Sequence, residues 1–147
     1  MATDNWAAQV LPRYERTEWS PPAEAELTGL AVWLPESVSL AATGGRLPLA
    51  GVVRLPRAEW ERIVPGGENP LLAVVVGAIL AGTNTPYAGQ AVLQAPLFAP
   101  DAGPFVTEYF NVDLRECAGL PRSAGRFFVF ASVGPYAAAP RAVTVTA

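Results

Sequence analysis

Leu71-Leu72-Ala73-Val74-Val75-Val76-Gly77-Ala78-Ile79-Leu80-Ala81 is the longest apolar run in the chain, bounded by Pro70 and Gly82. At its centre stand three consecutive valines, whose branched Cβ suits a pleated strand better than a helix. Gly77 would weaken a helix at its middle. The run therefore predicts a central strand buried on both faces, with a buried helix as the rival. It is too short to cross a bilayer, which takes ~20 residues.

Working outward, the same pattern of short apolar segments and turns recurs. Thr28–Leu34 is a short apolar run stopped by Pro35. Ser37–Leu40 alternates polar and apolar, and Gly44-Gly45 marks a turn. Leu47–Leu55 reads as a strand with Leu47, Leu49, Gly51, Val53 and Leu55 on one face, and Pro48 argues for an edge or a late start. Pro56–Val64 is the one helical segment, with Trp60, Ile63 and Val64 on a shared face. Pro65-Gly66-Gly67 ends it, so it connects two strands. Residues 82–86 read as a loop, Gln90–Gln94 as a short strand and the proline-rich 95–104 as irregular. In Val106–Leu114, Phe110, Val112 and Leu114 face one way, and Tyr109, Asn111 and Asp113 the other. Arg126–Val133 and Ala142–Thr146 complete the set. About seven to eight short strands joined by turns predict an all-β sandwich with one short helical connector.

Residues 1–26 differ from this body, which spans 27–147. They hold five acids against two arginines and so carry the whole net charge of −3. They also carry Trp6, Tyr14 and Trp19, and end in Ser20-Pro21-Pro22, which favours an extended segment. This reads as an N-terminal arm whose aromatics pack on the body or on a partner, because Trp is costly to leave in water.

The last third resembles the immunoglobulin-like and fibronectin-type β-sandwiches. Leu120-Pro121, Gly125, Phe127, Val129 and Ala131 mimic the corner before strand F and strand F itself. The resemblance implies that Val106–Leu114 is strand E, Arg126–Val133 strand F, Arg141–Thr146 strand G and Leu71–Ala81 strand C. Phe127 stands where the family places a hydrogen-bonding Tyr. The chain also lacks a cysteine pair between sheets and a Trp in its strand C. Sandwiches of this class serve many functions, so the likeness speaks to fold.

Composition limits the chemistry. The chain has no His, and all ten basic residues are Arg. That removes Ser–His–Asp and Cys–His pairs, Schiff-base lysines and a four-ligand zinc set. No catalytic residue, metal site or cofactor is predicted, and the protein reads as no enzyme. Without a basic stripe, no nucleic-acid partner is expected. The N-terminus lacks a basic and an apolar region of a signal peptide, so a cytoplasmic protein without a membrane partner is expected. The acids Glu24/Glu26, Glu59/Glu61 and Glu108/Asp113 are read as solvated surface groups. Cys117 would be reactive only if Arg115 or Arg122 lowered its pKa.

What remains is recognition. Phe128 and Phe130 share a strand face opposite Phe127, so one face is core and the other presents aromatic surface or lies under the arm. The expected function is a non-enzymatic interaction or assembly module, its partner another subunit or a second copy. The predicted anchors are Trp6, Tyr14 and Trp19, with Phe127 or Phe128 on the accepting face. The alternative is a carbohydrate- or small-ligand-binding module using Asn84, Thr85, Tyr87 and Gln90.

Overall fold

Period-two alternation sorts the chain into two sheets that share one core. In the computed structural model, which describes residues 16–22, 26–63, 71–83, 85–94 and 104–147, one sheet is built from β1 (Gly29–Trp33), β3 (Pro48–Pro56) and β6 (Phe105–Asp113). Their order is β1-β3-β6, antiparallel throughout. The larger sheet contains β2 (Ser37–Ser39), β4 (Leu71–Leu80), β5 (Thr85–Gln94), β7 (Gly125–Val133) and β9 (Arg141–Thr146). Here the order is β2-β9-β7-β4-β5, and the short β8 (Tyr136–Ala137) pairs β7. Only the β2–β9 pair is parallel among these. Among the described residues three short helices join strands: α1 (Leu40–Thr43), α2 (Arg57–Ile63) and α3 (Leu114–Ala118). The all-β class holds.

The core forms where the inward residues of the two sheets meet. Leu30, Val32, Leu49, Val53, Leu55, Val106, Phe110 and Val112 come from the smaller sheet, and Val74, Val76, Ala78, Phe127, Val129, Ala131, Val143 and Val145 from the larger. Glycines opposite aromatics let two rings lie flat on the sheets. Gly51 pairs with Phe110, and a Cβ on Gly51 would fall 2.1 Å from the ring. Gly77 pairs with Phe130, with a corresponding approach of 2.4 Å.

The helices seal the ends. Trp60 of α2 is fully buried and its indole Nε1–H donates to the Val106 carbonyl at 3.0 Å. Asp113 caps α3: its Oδ1 accepts from the Arg115 amide at 3.1 Å and from the Leu47 amide at 2.9 Å. Gly119 ends that helix in the left-handed conformation.

Several expectations need correction. Leu71–Leu80 is a central strand, but it is buried on one face only: Val74, Val76 and Ala78 are inside, while Ala73, Val75 and Ile79 are exposed. Pro48 begins a strand that is central in its sheet. Pro56 ends β3 and the helix starts at Arg57. β5 starts at Thr85, well before Gln90. Leu40 and Leu114 open helices that sequence periodicity could not reveal, because four or five residues make barely one turn. The arm expected over 1–26 lies largely outside the described residues, as do Trp6 and Tyr14.

Candidate interaction face

The described part of the arm covers the smaller sheet. Its outer face is formed by the small residues Ala31 and Ala50 beside Trp33, Val52 and Asn111. Trp19 is buried there, packed with Ala50 and the half-buried Trp33. Thr17 Oγ1 donates to Asn111 Oδ1 at 3.1 Å, and a Thr17–Ser20 turn shapes the segment. Trp19 is thus spent on its own body and is not presented to a partner. Phe127 is likewise removed from the accepting face, because its parity sends it into the core.

The outer face of the larger sheet is different. The register places Ala142, Phe128, Ile79 and Pro86 in one row across β9, β7, β4 and β5. The next row holds Phe130, Gly77 and Ala88, and the next Ser132, Val75 and Gln90. Phe128 is 45% exposed, and Ile79 and Val75 are each 37% exposed. These three are the exposed large hydrophobics among the described residues. Arg126 lies 5.7 Å over the Phe128 ring and rims the patch at one end. Beyond it, Glu36, Ser37, Ala142 and Thr144 border a shallow open hollow shared with Arg126. The sequence revealed Phe128 but missed Val75 and Ile79, because an unbroken apolar run hides which of its faces is wet.

The polar candidates do not assemble into a site. Glu108 points inward with Val106 and Phe110, whereas Asp113 lies on the opposite face, roughly 17 Å away along the strand. Asp113 is committed to the α3 cap. Glu59 pairs with Arg62 and accepts from the Tyr136 hydroxyl at 3.1 Å, which ties α2 to β8. Cys117 is half-buried, and burial, then the charges of Asp113 and Glu116, push its thiol pKa up. That is the reverse of what a reactive thiolate needs. Asn84 lies outside the described residues. Tyr87 packs against the core and Trp60 is buried.

Glu108 yields a pH prediction. Burial raises its pKa above the ordinary 4.5. Between the unfolded and folded pKa values the native state holds more protons, so stability falls as pH rises through that window. Glu108→Gln should therefore raise the melting temperature at neutral pH and change it little below pH 4.5. Thermal melts at both pH values test this, and an equal shift at both would refute it.

No family model matches the chain, and no curated protein matches it. Among solved structures it is similar to the Pseudomonas fluorescens alkylpurine DNA glycosylase AlkC bound to DNA containing an abasic site analog. Identity is 17%, the match covers 82% of this chain and 31% of that one, and the TM-score is 0.42. The chain thus spans about a third of the length of that structure. That protein is an enzyme and is bound to DNA. Against it, the expectations of no enzyme and of partners that exclude nucleic acid do not stand. A likeness this slight assigns neither activity nor DNA binding to this chain. Among the described residues no helix is long and apolar enough to cross a membrane.

Proposed function

We propose that this protein is a docking module whose working surface is the outer face of the larger sheet, and that its two sheets form an immunoglobulin-like sandwich. The strand order supports the second part. β1, β3 and β6 stand as strands A, B and E, while β4, β7 and β9 stand as C, F and G with F central. The observation that carries the first part is the row of Phe128 and Ile79, which leaves large apolar groups in water at the centre of a sheet. Antiparallel sheets that end in solvent usually alternate to polar residues on that side. A contiguous apolar patch with one arginine at its rim is how protein contact surfaces are composed.

The test is photo-crosslinking in the source cells, with a benzophenone amino acid placed at Phe128 or, as a control, at the exposed Ala58 of α2. A discrete protein adduct is expected from position 128, and from a probe at the neighbouring Ile79, but not from position 58. Phe128→Asp, combined with the probe at Ile79, should remove it. Because Phe128 is partly exposed and outside the core, Phe128→Asp should cost about 1–2 kcal/mol and leave the protein folded, which a thermal melt checks. The same adducts from positions 128 and 58 would refute the reading.

A further inference from the structure

The edge of the larger sheet carries a second surface, independent of the apolar face. β5 pairs with β4 along all ten of its residues, and among the described residues no strand lies on its other side. Its backbone polarity can be read. The Tyr87 carbonyl oxygen lies 2.4 Å from where a Cβ on Gly77 would sit, so it faces β4. Antiparallel ladders alternate residue by residue. The N–H and C=O groups of Ala88 and Gln90 therefore face the open side, as does the residue-86 position. Proline there fits, because it has no N–H to lose from the ladder.

Open edges are normally guarded. β1 and β2 are short, at five and three residues. The nine-residue edge strand β6 carries Glu108 pointing inward. β5, Thr-Pro-Tyr-Ala-Gly-Gln-Ala-Val-Leu-Gln, is the longest of these edges and has no charged residue. Among the described residues Pro86 is its one guard. Its exposed outer side chains at Ala88 and Gln90 are small or uncharged and leave the approach open.

We propose that β5 pairs antiparallel with β5 of a second copy, joining two larger sheets into one continuous sheet around a two-fold axis. The occupant follows from the edge itself. A row of alternating donors and acceptors takes an extended backbone, and an uncharged strand meets its own copy without repulsion. A two-fold across β5 also brings residues of like parity opposite each other. Ala88 and Gln90 of each chain then supply the ladder, and the two apolar outer faces fall on the same side.

Light scattering on the full chain over a micromolar concentration series should show mass rising from 15.5 kDa towards twice that value. Gln90→Pro, which removes an outward donor and no ladder bond, should weaken association at least tenfold and leave the circular dichroism spectrum intact. Hydrogen exchange on the unmodified chain is the second measurement. The Ala88 and Gln90 amides should be protected at high concentration and exposed on dilution. A mass of 15.5 kDa at every concentration overturns the proposal. So does a dimer that survives Gln90→Pro with both amides unprotected, or one abolished only by Phe128→Asp. The last of these outcomes would move self-association to the Phe128 face; the first two leave crosslinking from position 128 as it stands.

Discussion

Trp60→Ala should lower the unfolding free energy by about 3–5 kcal/mol, the range for deleting a fully buried aromatic. The side chain belongs to the seven-residue helix α2, too short to hold itself together in water. Its stability comes from inserting the indole between the sheets. The indole is wholly shielded, and its Nε1–H bonds the Val106 carbonyl across the core at 3.0 Å. Truncation leaves a cavity and also an orphaned carbonyl on β6. Trp60→Phe separates the two costs. It keeps much of the volume and loses the bond, so its penalty should be about 1–3 kcal/mol. Urea unfolding with an unchanged slope measures both. A loss under about 1 kcal/mol for the Ala variant would mean that the ring is not part of the packed core.

That Trp60 faced a core was legible from its spacing with Ile63. What it touched was not. The partner carbonyl lies 46 residues away, and no local pattern encodes that distance. The same divide runs through the chain. Val106–Leu114, Arg126–Val133 and Ala142–Thr146 alternate openly, so their strands and inward faces could be read directly. β4 does not alternate in hydrophobicity, and there the expectation of two buried faces failed. Val75 and Ile79 are as apolar as Val74 and Val76, and what distinguishes them is that the smaller sheet packs on the side of Val74 and Val76. Hydropathy reports what a residue tolerates, not what stands next to it.

The candidate face was half legible for the same reason. Opposed parity separated Phe127 from Phe128, so one of the two had to lie outside the core. Which sheet the arm would cover was beyond the sequence. The structure spends Trp19 on Ala50 and Trp33, on the sheet away from Phe128. A small residue at position 50 makes room for the indole, but an alanine in a strand announces nothing by itself. The acids were read as surface groups, yet Asp113 is buried as the cap of α3 and Glu108 is half-buried. Both exceptions lie on strand β6, and Asp113 sits where that strand turns into helix α3.

Gly89→Ala should destabilise the protein even though the residue lies in a strand with no positive φ. At an unstrained strand position, replacing Gly by Ala would stabilise by about 0.4–1 kcal/mol, through a less flexible unfolded chain. Here the sign reverses. The added Cβ would lie 1.7 Å from the Cys117 carbonyl oxygen and 2.8 Å from its carbon, which are backbone atoms of α3. Helix α3 cannot simply yield. Asp113 ties its start to Leu47 and Arg115, and Arg115 Nε donates to the Gly45 carbonyl at 2.7 Å. Either α3 lifts from β5 or β5 bends away from β4, and overpacking of this kind costs about 1–3 kcal/mol or more. The route taken is measurable. If α3 lifts, the half-buried Cys117 thiol becomes accessible and reacts faster with a thiol reagent. If β5 bends, Cys117 stays slow and the amides paired to β4 lose protection. Ala88→Ser, one residue away on the exposed side, should leave melting temperature and thiol reactivity unchanged. A Gly89→Ala protein as stable as the parent would show that α3 does not rest on this strand. Otherwise β5 is held from within by α3, whose backbone lies too close to position 89 to admit a side chain.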